Sequence, residues 1–224
     1  GAKMNAMEED GLHTFQWRGE QSGVDVALGL VFRIEHQKPT FRLNAHTSVI
    51  SRLNRASAMP TTAVCGFQAP FRSSATCFDL WRVGTSIANV KSPQGIEYSL
   101  DRGQVLESEQ SVKMGRAIAR CIHDGYRAFL KAHDAYDPQS IYRLNEESEL
   151  SGGNVFDQYT DNQLSVAADE YPDLLCFRLY EVDPLRRFEQ AVVRHVDWRG
   201  LKELSGSCVV AQTSLDFPAR DGKF

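Results

Sequence analysis

The sequence predicts an α+β fold: a mixed or antiparallel sheet packed against one long helix, about residues 109–134, and two shorter helices. Three observations predict it. Residues 24–35, VDVALGLVFRIE, alternate apolar and mixed positions, the period of a strand with one face in a core. Met114, Ile118, Cys121, Ile122, Tyr126, Phe129 and Leu130 recur three and four apart, the period of a helix. The order of the other segments lacks the regular strand–helix alternation of a parallel α/β protein.

Taken from the start, residues 4–22 are mainly polar, with Leu12, Phe15 and Trp17 as large apolar groups, and predict a loose segment ending in a short edge strand over 13–18. Gly1-Ala2-Lys3 ahead of Met4 reads as an appended leader and is set aside. In the strand 24–35, Val24, Val26, Leu28, Leu30, Phe32 and Ile34 share one face. Lys38-Pro39 is expected to end it, and Thr40–Ala45 to return as the second arm of a hairpin. Thr47 or Ser48 can cap a short helix through Ala58. Strands are expected over 62–68, 75–83 and 95–100, with turns at 69–74 and 92–95.

For the long helix the expected N-cap is Ser108 or Ser111, with Glu107 and Glu109 near its positive end. Residues 144–173 hold eight carboxylates and no Lys or Arg. They are expected to form a solvated excursion with a short helix near 164–168, an acidic insertion or linker in a single domain spanning 4–224. A strand follows at 174–182. Asp183-Pro184 then opens a helix with Leu185, Phe188, Val192 and Val196 as its buried stripe, closed by Gly200. A last strand covers 208–217.

Composition narrows the function classes. The apolar fraction of 42% and charged fraction of 24% are those of a folded globular chain. A net charge of -4 confines any nucleic-acid role to a local patch. The five cysteines, Cys65, Cys77, Cys121, Cys176 and Cys208, are widely spaced, without a CxxC pair. They predict buried reduced thiols and a cytoplasmic location, with no metal site. No apolar run approaches the length of a membrane-spanning helix, so no membrane role is predicted.

Phosphate-loop, dinucleotide-fold, nucleophile-elbow and zincin signatures are all absent, so the sequence assigns no cofactor and no catalytic residue. The candidate site is the basic segment 33–55. Arg33, Lys38, Arg42, Arg52 and Arg55 stand against Glu35 alone, a balance of +4, with His36, His46, Phe32 and Phe41 interleaved. Rings that stack bases and guanidinium groups that hold phosphates are what single-stranded RNA or DNA requires. The nucleic-acid-binding set is therefore Arg33, Lys38, Arg42, His46, Arg52 and Arg55. His46 beside Thr47 and Ser48 also suits proton transfer in a metal-free RNA cleavage.

Two alternatives stand beside this reading. Gly115-x-Ala117, after the strand 95–100, resembles over about six residues the pyrophosphate-binding turn of GNAT-type acetyltransferases. The resemblance implies a coenzyme A-dependent transferase using residues 100–117. Alternatively the acidic segment 144–173 docks a basic protein partner, or pairs with the basic segment of another copy in a homo-oligomer. Two lesser candidates complete the search. His123-Asp124 resembles the metal dipeptide of HD phosphohydrolases, although surface positions are expected for it, and Cys65 sits where a nucleophile at a strand end would.

Overall fold

A computed structural model describes residues 3–7, 11–42, 61–64, 67–70, 84–90, 97, 105–148, 168–181, 192–204 and 209–212. The architecture is α+β, as the hydrophobic periods require. Strands β1 (Lys3–Met7), β2 (Leu12–Gln21), β3 (Val24–Glu35), β4 (Lys38–Thr40), β5 (Thr61–Val64), β6 (Phe67–Pro70) and β7 (Gly84–Val90) form one sheet. Its order is β1-β2-β3-β7-β5-β6, with β4 also paired to β3. All pairs are antiparallel except β5 with β7. Strands β8 (Cys176–Glu181), β9 (Val192–Asp197) and β10 (Val209–Gln212) form a second, antiparallel sheet in the order β10-β8-β9.

The long helix is α1 (Glu109–Ala132). Ser108 caps it: its Oγ accepts from the Ser111 N–H at 3.1 Å, and the Ser108 N–H donates to Ser111 Oγ at 2.8 Å. This reciprocal box satisfies two donors that a helix start would otherwise leave bare. The seven apolar residues that predict the helix are all buried. They meet the even-numbered face of β3 from Val24 to Phe32, with Phe129 edge-on to Phe15 and Phe32 and stacked on Phe41. Ile34, expected on the same core face, is 41% exposed.

The helix crosses the sheet at Gly125. A Cβ there would lie 2.7 Å from Leu28 Cδ2 and 2.8 Å from Trp17 Cε3. The indole of Trp17 also covers Gly19 on its own strand, so it cannot retreat toward the sheet. Alanine at Gly125 gains helix propensity but overpacks this crossing. Gly125→Ala is expected to destabilise the fold by about 1–2 kcal/mol, read as a lower urea midpoint at unchanged slope. An unchanged or raised midpoint would contradict this packing.

Several elements differ from the sequence reading, each for a physical reason. The N-terminal region is not loose: β2 runs ten residues, is paired on both sides, and buries Leu12 and Phe15. Pro39 does not end the hairpin; it lies inside β4, opposite Ile34, in a strand three residues long. The break falls instead at His36-Gln37. The expected strand 62–68 is the two arms β5 and β6, and Ala69-Pro70 belongs to β6 rather than to a turn. A strand at 84–90 was not expected.

One short helix lies where none was expected. Helix α2 (Pro138–Ser148) occupies the start of the acidic stretch, capped by Asp137, whose Oδ1 accepts from the Ser140 N–H at 2.9 Å. The helix expected through Trp198 is contradicted over 192–197, which is β9, paired residue for residue with β8. The helical spacing of Val192 and Val196 is equally a two-residue spacing, and the β-branched side chains favour the strand. Helix α3 (Trp198–Glu203) begins where that helix was to end, so Gly200 lies within it rather than closing it. The expected elements at 47–58, 75–83 and 164–167, and residues 183–191, lie outside the described residues, as does 95–100 apart from Glu97.

Candidate functional site

The basic hairpin is built from β3 and β4. Glu35 pairs with Lys38, leaving His36-Gln37 as a two-residue loop. Their φ angles are 50° and 66°, left-handed backbone at two consecutive non-glycine residues. Two such φ values match the strand twist of a tight hairpin, but each side chain there is strained. The loop between β2 and β3 has the same form yet uses Gly23, at φ 76°, in its second position.

Cross-strand pairing puts Arg33, Glu35, Lys38 and Thr40 on one sheet face, since Arg33 opposes Thr40. Lys38 and Arg42 are exposed, and Arg33 is half-buried with its Nε lacking a hydrogen-bond partner among the described residues. His46, Arg52 and Arg55 lie outside the described residues. Phe32 and Phe41, the rings that would stack bases, are 1% and 0% exposed, so they belong to the core.

A buried carboxylate fixes the hairpin to α2. Glu147 Oε2 accepts from Thr40 Oγ1 and from the Phe41 N–H, both at 2.9 Å. Its Oε1 accepts from Arg143 Nη1 at 2.9 Å and lies 3.5 Å from Arg42 Nε. Arg143 Nη2 donates to the Pro39 carbonyl at 2.8 Å. Arg42 thus has one edge against Glu147 while its side chain stays 73% exposed. Sequence reasoning placed Glu147 in a solvated excursion; its role follows only from the tertiary contact with β4.

Three of the described carboxylates of 144–173, Glu147, Glu170 and Asp173, meet cations within the chain. Arg120 Nε and Nη2 hold Glu170 at 3.1 and 2.9 Å. Arg127 Nε and Nη2 hold Asp173 at 2.7 and 2.8 Å, and Tyr136 donates to Asp173 at 2.6 Å. Burial alone would raise Asp173; the Arg127 and Tyr136 hydrogen bonds outweigh it and hold the carboxyl at about 2. The surface that takes up Glu170 and Asp173 is therefore α1.

His123 lies between these two pairs, fully buried, its ring 3.6 Å from that of Tyr171. This corrects the expectation of a surface position. Burial, then Arg127, pushes the imidazole down to about 3 despite its hydrogen bond to the Ala119 backbone and the nearby Asp173. Asp124 is exposed and bound to Arg127 at 2.8 Å, so the His-Asp dipeptide forms no shared ligand pair. Among the described residues no group of three or more His, Cys, Asp or Glu could hold a metal.

The transferase candidate fares similarly. Gly115 lies inside α1, buried, seven residues past the Ser108 cap, rather than in a turn preceding the helix. The capping box engages the N–H of Ser111 in the first turn and that of Ser108 itself. Cys65 lies outside the described residues, while Cys121 and Cys176 are buried free thiols, and burial pushes Cys121 up to about 11.

A second polar group, not singled out by sequence, lies against the neighbouring face of α2, that of Tyr142. His195 on β9 directly opposes Arg178 on β8, and the Tyr142 ring lies 5.0 Å from the imidazole. Burial, then Arg178, lowers the imidazole's proton affinity, while Glu146 and Asp137 raise it. Lys38 in turn acts on Asp137.

No family matches this chain, and no curated protein matches it in sequence. Among the described residues no helix is long and apolar enough to cross a membrane.

Proposed function

We propose that the chain is a binding component that takes single-stranded nucleic acid, RNA or DNA, through phosphate contacts from the β3–β4 hairpin. The observation that carries the reading is the display of Lys38 beside a strained two-residue loop and of Arg42 past the far end of β4, where Glu147 anchors the hairpin. Strain held by surrounding structure is characteristic of functional sites. Over residues 33–42, Arg33, Lys38 and Arg42 outweigh Glu35, a balance of +2 before His46, Arg52 and Arg55 are added. With Phe32 and Phe41 in the core, affinity comes from charge rather than from stacking on those rings, and base sequence matters little.

The test is anisotropy with a labelled single-stranded oligonucleotide at 50 and 200 mM salt. Wild type is expected to bind with a log–log salt slope near −2, the value for about three phosphates. Lys38→Ala with Arg42→Ala is expected to flatten that slope by about 1.4. Absence of binding at 50 mM salt would overturn the reading.

A further inference from the structure

We infer that the hairpin holds a single strand by its end: the face carrying Arg33 and Arg42 takes a terminal phosphate, a phosphomonoester dianion, in preference to an internal phosphodiester. The inference rests on the function proposed above. Arg33 and Thr40 are directly paired across β3 and β4, so their side chains start side by side on one sheet face. Thr40 is buried, and its hydroxyl donates to Glu147 Oε2 at 2.9 Å. The Thr40 oxygen also accepts from the Arg42 N–H at 3.2 Å, which fixes the backbone that carries Arg42. Arg42 Nε in turn lies 3.5 Å from Glu147 Oε1. A run of short contacts therefore leads from Thr40, the neighbour of Arg33, through Glu147 to Arg42.

Charge decides the ligand. Around Thr40, Arg33, Arg42 and Arg143 stand against Glu147 alone, a balance of +2. Farther along the same face Glu35 and Lys38 oppose each other and offset. Arg143 is spent within the fold, its Nη1 on Glu147 and its Nη2 on the Pro39 carbonyl. Arg33 and Arg42 are left to a ligand. Arg42 keeps one edge on Glu147 while most of its side chain faces solvent. Arg33 is half-buried and forms no ion pair among the described residues, and its Nε has no hydrogen-bond partner there. A half-buried cation without a counter-ion gains most from a doubly charged anion. An internal phosphodiester brings a single charge. A terminal phosphate brings about two, with three acceptor oxygens, and two guanidinium forks match it.

The experiment measures, by anisotropy at 50 mM salt and pH 7.5, the affinity of one internally labelled oligonucleotide bearing a 5′-phosphate, a 3′-phosphate or hydroxyls at both ends. Wild type is expected to bind at least one phosphorylated form roughly fivefold tighter than the hydroxyl form, the scale of two solvent-exposed ion pairs. Arg33→Lys and Arg42→Lys keep the charge but lose the fork, and each is expected to cut that ratio below about twofold. Near-UV circular dichroism confirms that each variant is folded. Unlabelled nucleoside monophosphate carries the same dianion without a strand, and is expected to displace the phosphorylated strand only in large excess. If all three forms bind equally, or either lysine variant keeps the full ratio, this inference is overturned and the hairpin reading stands. If the monophosphate competes as well as the phosphorylated strand does, the ligand is a free nucleotide and the strand-end inference is overturned. If no form binds, both readings fall.

Discussion

Replacing Glu147 with alanine is expected to destabilise the protein by about 3 kcal/mol, more than any single change at the exposed basic residues. The carboxylate is 5% exposed as a side chain and serves two segments more than a hundred residues apart in sequence. Its removal strands the Phe41 N–H and the Thr40 hydroxyl in a buried place, and leaves Arg143 without its anion. An unsatisfied buried donor costs about 1–3 kcal/mol, and Arg143, 34% exposed, adds less because solvent screens its charge. Glu147→Gln separates the contributions: its amide oxygen can still accept from Thr40 and Phe41, but its amide nitrogen faces the Arg143 donors. The glutamine variant is expected to lose less than the alanine variant in urea titrations. Equal losses would mean that the charge pair, and not the Phe41 and Thr40 hydrogen bonds, carries the stabilisation.

The same residue explains how far the sequence could be read. Local signals were legible where local physics decides the outcome. The alternation of 24–35 and the three–four spacing of 114–130 each specify one buried face, and Ser108 announces its own cap. The second arm of the hairpin was legible, but not its exact bounds. His36-Gln37 lacks the glycine that usually marks such a loop, and Pro39 looked like a terminator. Asp137-Pro138 carries the same cap-and-proline signature that suggested a helix at Asp183-Pro184, but directly after the expected end of the long helix it reads as the break that closes that helix.

The candidate site was less legible than the fold, because charge in a sequence says nothing about pairing in space. The segment 144–173 reads as eight unopposed carboxylates, but Glu147, Glu170 and Asp173 each meet an arginine from another element. Aromatic rings among basic residues suggest a stacking platform, but the strand period that carries Phe32 also carries it into the core. The Arg178–His195 pair depends on the register of β8 against β9, which no local pattern encodes.

Acid is expected to unfold the protein through His123 before it acts through the carboxylates. In the folded state burial, then Arg127, hold this imidazole at about 3, against about 6.5 in the unfolded chain. A base whose folded value is depressed leaves the unfolded state binding more protons between the two values. Stability is then fully present above pH 6.5 and falls as pH drops through the window toward 3. One proton corresponds to about 1.4 kcal/mol per pH unit, so His123 alone removes about 2–3 kcal/mol between pH 6.5 and 4.5. His133 and His195 are also lowered, by burial first, and act in the same direction. Asp173 contributes only lower down: its carboxyl, held at about 2, loses its stabilising ionisation as pH falls from about 3.8. The two windows therefore separate imidazole from carboxylate. His123→Phe keeps a ring against Tyr171 but cannot take up a proton. It is expected to reduce the slope of unfolding free energy against pH by about 1.4 kcal/mol per unit between pH 6 and 4.5, in urea titrations across that range. A variant with the wild-type slope would show that the acid response arises elsewhere.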